Sequence, residues 1–191
     1  MSLEQKINNL ETDLHIMGTL VLDSLVGAVR ALEDKDTLKA SEVMDKDDEI
    51  DDAYMKIDQD WFELMATEQP VASDLRLSTS ILQASLHLER LGDLSVYLGK
   101  TTHEIHDLPI PESLHKIVVE MGDMVIDMAS SALESLKNRD AELALSTARK
   151  DELINSLYNK MLNEVPNISG NKDLYSGLFR LITCVRTLET V

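Results

Sequence analysis

The chain has 191 residues, enough for one or two domains with true cores, and its 43% apolar content excludes a disordered polypeptide. Aromatic residues reach only 4%, and seven Gly and four Pro are too few turn signals for a many-stranded β protein. A net charge of −17 excludes nucleic acid and anionic membrane as natural partners, since either would be approached against the protein's own field, and it favours cations and basic protein surfaces.

Six helices are expected in chain order. The first covers residues 3–33, with Ile7, Leu10, Leu14, Met17, Val21, Leu25, Ala28 and Leu32 at steps of three and four. Asp34-Lys35-Asp36 breaks that stripe, and Asp36 or Thr37 caps the second helix, 38–67, which ends ahead of Pro70. Ser73 or Asp74 caps a third that runs to 104 with Leu77, Ile81, Leu88, Leu91 and Leu98 on one face. Pro109 and Pro111 flank a linker. A fourth helix spans 112–136, a fifth 141–164, and a sixth starts near Lys172 and is still helical in pattern at Val191. No run approaches about 20 apolar residues, so neither a signal peptide nor a direct membrane insertion is expected. The single Cys184 cannot form an internal disulfide, which suits a reducing, cytoplasmic compartment.

The second half of the chain repeats the first. A shift of 104 positions aligns thirteen identical residues within Met17–Ile57, among them Asp23 with Asp127, Asp36 with Asp140, Asp47 with Asp151 and Ile50 with Ile154. A period of that size is a duplicated small domain rather than a solenoid repeat. The expected fold is therefore all-α: two tandem three-helix bundles, one over 1–108 and one over 109–191, the second incomplete at its C-terminus.

Each copy places an acid in an apolar seam. The second helix reads Val43, Asp47, Ile50, Tyr54, Ile57, Trp61; the fifth reads Thr147, Asp151, Ile154, Tyr158, Met161. A buried carboxylate must be protonated, paired or bound to a cation. Asp51 and Asn155 follow one turn later, and Glu89 and Asp93 form the same spacing on the third helix, with Glu89 matched by Glu189 at a shift of 100. Pairs of oxygen ligands on facing helices are how bundles hold hard or borderline cations. The plainer alternative is solvated surface acid, which suits Asp23 and Asp127. His103 and His106 fit a helix C-terminus better than a zinc site, and Cys184 fits the core.

Gln69-Pro-Val-Ala-Ser-Asp-Leu-Arg76, followed by Leu88-Glu-Arg-Leu-Gly-Asp93, resembles the PhoU family of bacterial phosphate-uptake regulators. The resemblance implies two three-helix bundles and acidic motifs that bind iron or zinc, or single divalent ions such as magnesium or manganese. By position it implies Asp47, Asp51, Glu89 and Asp93 as ligands in the first bundle and Asp151, Asn155 and Glu189 in the second, where Asn155 replaces a carboxylate. It also implies a non-enzymatic homodimer that contacts the ATPase of the phosphate ABC transporter and a sensor histidine kinase, and represses the phosphate-starvation response. The alternatives are a di-iron-type enzyme, whose template asks for Glu-x-x-His on two helices where none is expected in this chain, and a metal-free helical adaptor. No anion cradle is apparent, so free phosphate is expected to bind poorly.

Overall fold

The computed structural model describes residues 1–168 and 172–189, without the side chains of Asn167, Val185, Leu188 and Glu189. Among the described residues there is no strand. The helices are α1 (Leu3–Asp34), α2 (Thr37–Met44), α3 (Asp47–Glu68), α4 (Ala72–Ile105), α5 (Glu112–Asn138), α6 (Ala141–Ala148), α7 (Asp151–Glu164), a short 3-10 turn (Val165–Asn167) and α8 (Lys172–Glu189).

Helix α1 is the axis of the molecule. Its whole expected stripe is buried, and Met17, Val21, Leu25 and Ala28 are fully so. Each large aliphatic sealed there contributes about 1.5–3 kcal/mol. The helix opens on a capping box between Ser2 and Gln5 and stops at Lys35 in the left-handed region, φ 55°, whose N–H returns to the Ala31 and Leu32 carbonyls. Asp36 then accepts from the Leu38 and Lys39 amides. The second repeat uses the same turn 104 residues later, with Arg139 at φ 53° and Asp140 accepting from Leu143 at 3.0 Å. By length and composition α1 could cross a membrane, but half of its most apolar stretch is buried inside the bundle.

The expected second and fifth helices are each two helices. Asp45 and Lys46 have ψ of −14° and −1°, and Arg149 and Lys150 have −19° and −18°, so the chain tightens into i→i+3 bonds such as Lys46 N–H to Val43 O and Lys150 N–H to Thr147 O. No Gly or Pro causes the bend. It places Asp47, Asp48 and Glu49, and likewise Asp151 and Glu152, in a first helical turn, where the dipole favours negative charge. Asp47 is thus a half-buried helix-start residue and not a mid-helix seam residue as expected. Helix α4 also starts differently. Neither Ser73 nor Asp74 caps it; Gln69 closes α3 at φ 48°, Val71 precedes the first turn without a side-chain cap, and Ala72 itself has φ 50°.

In the first repeat α1 packs on α3, α4 and α2, with α2 also against α4; in the second α5 packs on α6, α7 and α8. The repeats join through α1 against α5 and α4 against α8. The α1–α5 crossing contains one contact twice: a Cβ on Gly18 would meet Leu133 at 2.8 Å, and a Cβ on Gly122 would meet Val29 at 2.7 Å. These pairs are related by the shift of 104, so the duplicated units meet about an approximate twofold. Arg30 of α1 strengthens the join by pairing with Asp123 of α5.

Candidate metal centre

The approach of α3 to α4 is set by Gly92, against which Ile50 packs; a Cβ at Gly92 would stand 3.0 Å from the Ile50 side chain. Asp47 and Asp51 lie three before and one after Ile50. Glu89 and Asp93 lie three before and one after Gly92. Close backbone approach at the Ile50–Gly92 contact therefore brings the two acid pairs face to face. Gly inside a helix costs about 1 kcal/mol relative to Ala, and that cost marked Gly92 in the sequence as a packing residue, a signal the pattern-based reading passed over.

The four carboxylates act on one another. Burial raises the Glu89 carboxyl above its ordinary value, and Asp93, Asp51 and Asp47 add to the rise while Arg90 opposes it. Burial likewise raises Asp47, with Asp51, Asp93 and Asp48 adding and Lys100 opposing. Glu89 and Asp47 are half-buried and Asp51 and Asp93 are exposed. None of the four accepts a hydrogen bond or joins an ion pair among the described residues. The group is a concentration of negative charge open to solvent on one side, with no protein cation seated in it. A hard or borderline cation matches such a donor set. Among the described residues, however, no three His, Cys, Asp or Glu side chains stand together as a finished ligand set.

The second-repeat counterparts are not brought together in the same way. Asp151 is exposed and accepts from Asn155 Nδ2 at 2.9 Å. Glu189 has its side chain outside the described residues. Asp127 pairs with Lys150, and Asp23 lines a cavity with Lys39 and Lys46. His103 Nε2 meets Ser41 Oγ at 3.0 Å, and His106 Nδ1 meets the His103 carbonyl at 2.8 Å. One Glu-x-x-His does occur, Glu112 to His115, but His115 is buried and bonds the Leu32 carbonyl at 2.9 Å, closing the end of α1. Cys184 is fully buried, and burial pushes its thiol up to about 12.

The model of the PhoU domain matches residues 14–102 and again 118–191. Over 98% of this chain and 86% of its own length, a protein of Clostridium acetobutylicum described as a phosphate-specific transport system accessory protein PhoU homolog is 31% identical. A Pseudomonas aeruginosa protein with the same description is 30% identical over 97% of this chain and 77% of its own length. The crystal structure of PhoU from Pseudomonas aeruginosa superposes with a TM-score of 0.93 over 98% of this chain and 90% of that one, at 30% identity. That of the phosphate transport system regulatory protein PhoU from Streptococcus pneumoniae gives 0.88, at 26% identity and with 98% and 88% covered.

Proposed function

The chain belongs to the PhoU family, and on that premise we propose that it is an accessory regulator of phosphate transport that acts by protein contact and not by catalysis. The observation that carries this reading is the match of the entire fold, both repeats included, to solved PhoU structures. We further propose that its partners are the ATPase of the phosphate ABC importer and a sensor histidine kinase, met in the cytoplasm as a homodimer, with repression of the phosphate-starvation response as the outcome. The charge of −17 supports docking on basic protein surfaces. The test is complementation. In a bacterium lacking its own PhoU-type protein, expression of this chain restores repression of a phosphate-starvation reporter in phosphate-rich medium. A soluble, folded chain that leaves the reporter fully induced overturns the reading.

Asp47, Asp51, Glu89 and Asp93 would hold the cation, iron or zinc before magnesium or manganese, with Asp151, Asn155 and Glu189 as the second-repeat counterparts. Bound there, it would supply charge neutralisation, relieving the carboxylate repulsion that adds to burial in raising Asp47 and Glu89, and so would tie α3 to α4. A metal-free adaptor is the second reading, favoured by the lack of a finished ligand set among the described residues. Elemental analysis of untreated protein separates the two. Phosphate status would reach the chain through its partners or through anions on bound metal, and calorimetric binding of phosphate to chelator-treated protein at micromolar affinity defeats that route.

A further inference from the structure

The chain has two phenylalanines, Phe62 and Phe179, and exposes both, at 70% and 66%. Phe62 belongs to a strip. Met55, seven residues earlier on α3, is 58% exposed, and on α4 Leu75 and Leu86 are 41% and 37% exposed. Helical register puts the four on one face. Met55 and Phe62 follow Asp51 by about one and three turns, and Leu75 and Leu86 precede Asp93 by about five and two. Asp51 and Asp93 both act on Asp47, so they mark the same side of the α3–α4 contact. The helices run antiparallel from Ile50 against Gly92, which sets Met55 near the level of Leu86 and Phe62 toward Leu75. The other flank of α3 is turned to α1, where Lys56 pairs with Asp13 and Glu63 with Lys6. The strip is about 16 Å long on α4, and no described residue covers it.

Its borders are acidic. Asp51 and Asp58 alternate with Met55 and Phe62 along α3, and Glu89 and Asp93 carry on the line of Leu75 and Leu86 along α4. Helix α3 holds nine acids against one lysine, nearly half of the chain's net charge of −17. Arg76 and Arg90, on the exposed edge of α4, offset a small part of it. An exposed apolar strip rimmed by charge marks an interaction surface, and the sign of the charge selects the occupant. A second copy would bring another acidic chain against this face, and an anionic lipid surface would be repelled in the same way. A helix with apolar residues on one side and Lys or Arg on its flanks matches both the strip and its rim.

We infer that the α3–α4 face around Met55 and Phe62 is the docking site for a basic amphipathic helix of a partner protein. Phe62 is its central apolar anchor, and the acids of α3, Asp58 foremost, meet the partner's cations. A cation held at Asp47 and Glu89 would leave Asp58 and Asp52 unneutralised, so the two uses of α3 are compatible. The inference rests on the reading that the chain acts by protein contact, and it adds where the contact is made.

The probe is a synthetic peptide of about 18 leucine and lysine residues, with leucine at helical spacing, compared with a shuffled peptide of the same composition. Trp61 is the only tryptophan, is half-buried and adjoins Phe62, so its emission reports binding. The amphipathic peptide is expected to bind at least about tenfold tighter than the shuffled one. Phe62→Ser or Asp58→Lys brings it down to the shuffled level, while Leu38→Ser, at a 78% exposed apolar residue of α2, leaves it unchanged. Equal affinity for the two peptides, or full affinity in Phe62→Ser, overturns the inference. So does a dimer in sedimentation that Phe62→Ser makes monomeric, since the face then belongs to a second copy, and so does binding to vesicles of anionic phospholipid that Phe62→Ser abolishes. In the complementation assay the two readings fail separately. A Phe62→Ser chain that represses the reporter as fully as the parent overturns this inference alone, whereas a parent chain that binds the peptide at this face and never represses overturns only the regulator reading.

Discussion

The two repeats carry the same residues at matched positions and bury them differently. Ala28 and Ala40 are fully enclosed, whereas Ala132 and Ala144 are exposed; Leu32 is sealed, whereas Leu136 is only half-buried. Local structure does not explain the contrast, because the turn at Lys35–Asp36 recurs at Arg139–Asp140 and the bend at Asp45–Lys46 recurs at Arg149–Lys150. The difference lies in the opposing layer. The first repeat has all 34 residues of α4 to lay across α1, α2 and α3, while α8 is described over 18. The same apolar residue is core or surface according to what faces it. The carboxylate sites diverge for the same reason: Asp47 faces Glu89 and Asp93 of α4 across a tight contact, while Asp151 opens onto a groove.

The sharpest way to break the comparison is at the paired glycines of the α1–α5 crossing. Gly122→Leu should cost about 3 kcal/mol, because Val29 is sealed and cannot yield. Gly18→Leu should cost less than half as much, because Leu133 lines the open groove and can move into it. Equal losses in chemical denaturation would show that the two crossings are equally confined. Next comes the acid group. Asp47→Asn and Glu89→Gln should each weaken divalent-cation binding about tenfold or more by calorimetry, whereas Asp151→Asn has a smaller effect. Without metal the sign reverses. Both carboxyls are raised in the folded state, so their contribution to stability is greatest when they are protonated and is lost as pH rises through the raised values. In chelator the protein should therefore melt higher when the pH drops from neutral toward the ordinary carboxylate range, and Asp47→Asn should flatten that slope. An unchanged slope removes Asp47 from the group.

Smaller effects sharpen the contrast between repeats. Asp36→Ala should cost about 1 kcal/mol or slightly more, since the side chain accepts from two amides ahead of a helix that carries buried Ala40 and Val43. Asp140→Ala removes a single bond ahead of exposed α6 and should cost less. Last comes the thiol, whose effect is nil near neutral pH. Cys184 stays protonated to about 12 when folded but ionises near 9.0 in the unfolded chain, so stability should decline only as pH climbs between those values. Fast labelling of Cys184 in the native protein at pH 8 would contradict its burial.

Periodicity and composition carried the helical class, the duplication and the central stripe of α1, because these depend on residues within a few turns of one another. The acid pairs were visible at their i,i+4 spacing for the same reason. Their environment was not. An unbroken seam through Val43, Asp47 and Ile50 made Asp47 look like a mid-helix core residue, and no Gly or Pro announced the bend that turns it into a helix start. Likewise, the Glu-x-x-His at Glu112 resembles a ligand pair on paper, but folding spends His115 on the carbonyl that ends α1.

By itself the sequence determined that the chain is helical, that the unit is used twice, and which oxygen-bearing side chains share a helical face, but not where two of the helices break. Tertiary structure alone decided which of those faces meet. Gly92 against Ile50 draws four acids into one field, the counterparts at Asp151 and Asn155 remain apart from such a group among the described residues, and a groove stays open beside Ala132. The physical reason is range. Helix propensity and amphipathic pattern act over a turn or two, whereas burial and carboxylate repulsion depend on atoms brought close by segments dozens of residues away.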